Sequence, residues 1–148
     1  MTHTVYLSLG SNLGNRRQLL HEAITLLDER VGEVTAQSSL VETEPWGFSS
    51  PNKFLNVCVA CSTRLDVTEV LRRTQAIERD MGRTQKSVDG VYHDRIIDID
   101  LLLFDHLNIH TPELTLPHPR MWDREFVTVP LAEIGVTRET VEQWDIEK

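Results

Sequence analysis

One domain of mixed strands and helices, spanning residues 1–148, is what this sequence predicts, and three observations predict it. The chain has 148 residues, 40% of them hydrophobic, enough to bury one core without staples and too few to need a second. Apolar runs of strand character recur at residues 4–9, 33–40, 57–63 and 95–104. Between them lie two stretches with helical spacing and capping residues at their starts. The formal net charge of −8 argues against general nucleic-acid binding, which draws on a basic surface, so any anionic ligand needs a local basic cluster. With no signal peptide and no apolar run long enough to span a bilayer, the expectation is a cytoplasmic protein with no membrane partner.

The first strand, Thr4 to Leu9, ends at Gly10-Ser11-Asn12-Leu13-Gly14-Asn15. This glycine-bearing turn has neither the G-x-G-x-x-G nor the G-K-[ST] pattern of a nucleotide loop, so by itself it reads as an ordinary tight turn. Asn15 with Gln18 resembles a capping box, and Leu20, Ala23, Ile24, Leu27 and Val31 form the stripe of a helix that stops at Gly32. Glu33 to Leu40 is a second strand. The loop from Val41 to Pro51 carries Trp46, Phe48 and two prolines, a stiffened segment that either stacks on a planar ligand or folds its Trp into the core. Phe54 and Asn56 share one face at the start of the next strand, one offering a ring and the other an amide.

Cys58 and Cys61 form a C-x-x-C, but they lie on that strand, where residues three apart face opposite ways and their Cα atoms stand roughly 10 Å apart. Core cysteines, not a disulfide or zinc site, are expected. Asp66 with Glu69 opens a second helix with a stripe of Val67, Val70, Leu71, Ile77 and Met81 and a stop at Gly82. Gln75 and Glu78, one turn apart on its polar face, either point together at what the next loop covers or are solvated. Residues 83–94 form a long polar connection, a length that in a compact domain usually carries function.

Arg95-Ile96-Ile97-Asp98-Ile99-Asp100-Leu101-Leu102-Leu103-Phe104 is the most apolar stretch of the chain, and it carries two acids. Alternation puts Ile97, Ile99, Leu101 and Leu103 on one face and Asp98, Asp100, Leu102 and Phe104 on the other. Two carboxylates held this close repel and lose water, so they need a cation or hydrogen-bond donors. Mg²⁺, which takes one or two carboxylates together with phosphate oxygens, would supply it; so would arginines. Farther on, Pro117 and Pro119 restrain His118, and Arg120 and Arg124 are expected on one face of a short helix. From Val127 a strand-like piece and weak helices around 131–134 and 137–144 follow.

These residues, in this order, resemble the 6-hydroxymethyl-7,8-dihydropterin pyrophosphokinase family over residues 5 to about 134. The resemblance is carried by Gly10-Ser11-Asn12-Leu13, Thr43-Glu44-Pro45-Trp46-Gly47, Phe54-Leu55-Asn56, Gln75 with Glu78, Gly82-Arg83, Arg95-Ile96-Ile97-Asp98-Ile99-Asp100 and Pro117-His118. It implies an α+β, ferredoxin-like antiparallel sheet covered by helices on both faces, a three-layer αβα arrangement. It implies transfer of the terminal diphosphate of ATP, the co-substrate, to a pterin alcohol in folate biosynthesis, by a monomer whose partners are these two small molecules. Asp98 and Asp100 would hold two Mg²⁺ ions. Gln75, Glu78, Arg83, Tyr92, Arg95, Ile99, His118 and Arg124 would surround ATP, with Tyr92 standing where the family often has a tryptophan. Thr43, Glu44, Trp46, Phe54, Asn56, Asp98 and Phe126 would surround the pterin, and Arg83, Arg95 and His118 would absorb charge during transfer. The 84–94 loop would close as a lid.

Overall fold

The computed structural model describes residues 1–44, 52–82 and 96–147. Its elements are β1 (His3–Ser11), α1 (Arg16–Arg30), β2 (Glu33–Gln37), β3 (Val41–Thr43), β4 (Phe54–Thr63), α2 (Val67–Asp80), β5 (Asp98–Phe104), β6 (Ile109–His110), β7 (Thr115–Leu116), α3 (Glu125–Glu133) and α4 (Arg138–Glu147). A single 3-10 turn, Met121–Asp123, precedes α3. The main sheet has the order β2-β4-β1-β5, with β3 beside β4 on the β2 side, and every pairing is antiparallel. Strands β1 and β2 are joined through α1, and β4 and β5 through α2, each pair with one strand between. That is the split β-α-β topology of a ferredoxin-like fold.

Both helices of the first layer start where their caps put them. The Asn15 side chain accepts from the Gln18 N–H at 3.3 Å, and Asp66 accepts from the Glu69 N–H at 2.9 Å. Leu20, Ala23 and Leu27 of α1 and Val70 and Ile77 of α2 then pack with Val5, Leu7 and Leu9 of β1 and Val57 and Val59 of β4. Leu27 and Ile77 are fully buried, each contributing about 1.5 to 3 kcal/mol of apolar burial. The opposite face is covered by Val127 and Leu131 of α3 and Val141 of α4, which pack on Cys58, Leu102 and Leu103. Trp144 of α4 stacks on His106 with ring centroids 4.4 Å apart and lies 6.5 Å from Tyr6.

The two cysteines fall on opposite faces, Cys61 under α1 and α2 and Cys58 under α3. Burial pushes both thiols up to about 12. Neither thiol should react with an aromatic disulfide reagent at pH 8 in the native protein, and both should react once it is unfolded; prompt native-state labelling would contradict this packing.

The structure redraws four stretches. β1 runs through Gly10 and Ser11, so those residues are strand and not turn. Val41–Thr43 is a strand and not loop, because Ser38 breaks the second strand: its N–H bonds the Cys58 carbonyl and its hydroxyl accepts from the Cys58 N–H, both at 2.9 Å. The pairing of β1 with β5 slips between Tyr6 and Leu7, leaving Leu102 without an opposite residue. This bulge turns Leu103 to the α3 face and Phe104 to the α1 face, the reverse of simple alternation. Finally, Val127 to Val129 belong to α3, and Arg120 and Arg124 do not share a helix, since Arg124 is extended between the 3-10 turn and α3.

Candidate active site

The face covered by α3 and α4 has a polar half, built at one end of four strands. Register places Val41, Asn56, Gly10 and Asp98 in one row across β3, β4, β1 and β5. The adjoining row is Cys58, Ser8 and Asp100. Strand alternation therefore brings Asn56, Gly10, Asp98 and Asp100 to one face, with Phe54 opposite Thr43 at its margin. Both aspartates are half-buried.

Asn56 is 2% exposed. Its Nδ2 donates to the Val41 carbonyl at 3.1 Å and to Thr43 Oγ1 at 2.8 Å. A carbonyl can only accept, so this contact fixes which end of the amide is nitrogen. Both donors are thereby spent, and Oδ1 is the end left to face a ligand, as an acceptor. The sequence expectation of an amide offering both a donor and an acceptor is narrowed accordingly.

Gly10 is a member of this site that sequence reading assigned to a turn. A Cβ there would stand 3.0 Å from Asn56 Oδ1 and 3.4 Å from Phe54 Cδ1. A side chain at position 10 would press on both Asn56 and Phe54. The signal was present, because a glycine continuing a strand marks a close approach.

Around β5 the other expected residues arrive from two layers. Glu78, on α2, is 3% exposed and accepts from the Ile99 N–H at 2.9 Å; it is not a solvated helix residue. Gln75 is half-buried on the same helix. From the other side the His118 N–H donates to the Leu102 carbonyl at 3.0 Å. His118 Nδ1 accepts from the Arg120 N–H at 3.2 Å, so the neutral imidazole carries its proton on Nε2. Arg124 is buried with its guanidinium carbon 5.5 Å from the centroid of the half-buried Phe126 ring. Glu44 is exposed, just past β3 and next to Thr43, with its carboxylate 3.5 Å from Lys53 Nζ. Trp46, Arg83, Tyr92, Arg95 and the 84–94 lid lie outside the described residues.

A ferredoxin-like α+β domain with a carboxylate pair on β5 and a buried amide on the same sheet face is the class these features define. The chain belongs to the family described as 7,8-dihydro-6-hydroxymethylpterin-pyrophosphokinase (HPPK), whose model matches residues 6–136. A 2-amino-4-hydroxy-6-hydroxymethyldihydropteridine pyrophosphokinase from Porphyromonas gingivalis is 56% identical over 132 residues, 88% of this chain and 90% of that protein. One from Bacillus subtilis is 44% identical over 135 residues, 90% of this chain and 79% of that protein. The Plasmodium falciparum HPPK-DHPS wild type with pteroate shares the fold, with a TM-score of 0.72 at 16% identity over 99% of this chain and 43% of that one. This chain thus spans less than half the length of that solved structure. As a member of the family it is an enzyme that transfers pyrophosphate from ATP to hydroxymethylpterin in folate synthesis. No helix among the described residues is long and apolar enough to cross a membrane.

Proposed function

We propose that the polar half of the sheet is where ATP and the pterin meet, in a single domain of 148 residues acting as a monomer in the cytoplasm. The observation that carries this is the row of Asn56, Gly10 and Asp98 in register across three strands, with Asp100 beside it. Asn56 Oδ1 takes N–H groups of the pterin edge, and Phe54, Trp46 and Phe126 supply stacking area. Thr43 holds Asn56 in place by its 2.8 Å hydrogen bond. Glu44 stands at the margin of the slot. Gln75, Glu78, Arg83, Tyr92, Arg95, Ile99, His118 and Arg124 surround ATP, and Arg83, Arg95, His118 and Arg124 among them give an acidic chain its local basic cluster.

Asp98 and Asp100 offer hard oxygen donors, half-buried on one strand face. That suits Mg²⁺, which takes few carboxylates and completes its shell with phosphate oxygens and water. Two such ions, when bound, neutralise charge on the triphosphate. The chain's own groups do the rest by positioning. The pterin hydroxymethyl oxygen attacks the β-phosphorus in line, and the bond to the α-phosphate bridging oxygen breaks, releasing AMP. Arg83, Arg95 and the Nε2–H of His118 stabilise charge on the phosphate oxygens, while Asp98 orients the alcohol and accepts its proton.

ATP labelled separately in its α and γ phosphates tests the reaction. The γ label must travel with the pterin and the α label must stay in AMP, one AMP per pterin consumed. ADP formed in step with a monophosphorylated pterin would overturn this assignment. Asn56→Ala tests the slot: it should weaken pterin binding by about 1 to 3 kcal/mol, because a ring edge is buried without its acceptor, and leave ATP binding much less affected. Equal losses for the two ligands, measured by calorimetry on protein with a normal melting curve, would reject the role given to Asn56.

A further inference from the structure

The bonding of Glu78 points to a task beyond its place around ATP. Among the described residues β5 is the edge of the sheet, and the N–H groups on a sheet edge have no neighbouring strand to bond. The Ile99 N–H is taken instead by the Glu78 carboxylate at 2.9 Å. Ile99 itself is 2% exposed, its side chain in the core beneath the sheet, and its two chain neighbours are Asp98 and Asp100. A buried carboxylate is costly unless it is well bonded, and a charge-assisted bond is roughly twice as strong as a neutral one. The bond to Ile99 is therefore a stiff restraint on the Asp98–Ile99 peptide, one of the two peptide units that join the aspartates. Farther along the strand, the His118 N–H holds the Leu102 carbonyl at 3.0 Å. Among the described residues no three His, Cys, Asp or Glu side chains gather to hold one ion, which sets Glu78 apart from the ligand pair.

We infer that Glu78 is a positioning residue, which locks the backbone at Ile99 so that Asp98 and Asp100 are presented together to a divalent cation. This rests on the assignment of those two aspartates as the metal carboxylates. Groups that orient metal ligands from outside the coordination shell typically change metal affinity 10- to 100-fold when removed.

Glu78→Leu and Glu78→Gln test it through two measurements: hydrogen exchange at the Ile99 amide in the ligand-free protein, and the free Mg²⁺ giving half-maximal AMP release at saturating ATP and pterin. Glu78→Leu should speed exchange at Ile99 about tenfold or more and raise the half-saturating Mg²⁺ about tenfold. Glu78→Gln, which keeps an acceptor oxygen in a weaker neutral bond, should shift both in the same direction by a smaller factor. Should Glu78→Leu fail to fold, Glu78→Gln carries the test, since its weaker neutral bond must still give faster exchange at Ile99 together with a raised Mg²⁺ requirement. A raised KM for ATP with unchanged exchange would leave Glu78 a ligand contact alone and overturn the inference, and faster exchange with an unchanged Mg²⁺ requirement would overturn it as well. An Asp98→Ala protein that kept the wild-type Mg²⁺ requirement would instead sink the metal assignment, a failure visible apart from any result at Glu78.

Discussion

Replacing Asp98 or Asp100 by alanine is expected to lower kcat by about three orders of magnitude, the rate equivalent of ~4 kcal/mol of transition-state stabilisation. Both side chains project from the same face of β5, opposite Gly10 and Ser8. Neither lies in the two apolar clusters that hold the layers together. Removing either one also relieves repulsion between carboxylates one pleat apart, so the variants should stay folded. Rates of AMP release as a function of Mg²⁺, taken together with thermal unfolding, check both halves of this statement. A variant within tenfold of the wild-type rate at limiting Mg²⁺ would remove the aspartates from the reaction.

Gly32→Ala is expected to cost more than ~4 kcal/mol, the range reached only when packed atoms are forced to move. Gly32 follows α1, with its N–H bonded to the Leu27 carbonyl at 3.1 Å. A Cβ at this position would fall 2.1 Å from the Ser62 carbonyl oxygen and 2.9 Å from Thr63 Cα. Those atoms are backbone of β4, which is paired to β1 on one side and β2 on the other, so they cannot swing aside as a side chain would. For a domain of this size the loss corresponds to a drop of about 10 °C or more in Tm, measurable by calorimetry, or to failure to accumulate as soluble protein. A Tm within two or three degrees of wild type, on the order of 1 kcal/mol, would mean that α1 and β4 are not packed as described.

Gly32 also shows where local reading stops. In the sequence it is a helix terminator, which is a statement about its neighbours in the chain. Its tighter constraint comes from Ser62, thirty residues away in sequence, and no local pattern contains that approach. The same limit explains Glu78, whose spacing fits a solvated helix face equally well until β5 is laid beside α2 and its Ile99 N–H needs an acceptor. It explains Val127 to Val129, whose β-branched run suggests a strand yet sits in α3, because packing of Val127 and Leu131 on the sheet outweighs a propensity worth only tenths of a kcal/mol per residue.

What the sequence by itself determined was whatever depends on near neighbours: the two capped helices with their stripes, the opposite faces of Cys58 and Cys61, the shared face of Asp98 and Asp100, and the ordered motifs that mark the family. Those follow from the 3.6-residue and two-residue periods of the backbone and from caps that act over three residues. Only the tertiary structure decided the bulge at Leu102 that exchanges the faces of Leu103 and Phe104, the place of Gly10 beside Asn56 and Phe54, and the amide orientation that leaves Asn56 an acceptor. Each of these is set by strand register, and register is a relation between segments tens of residues apart, fixed by which apolar faces can be buried together.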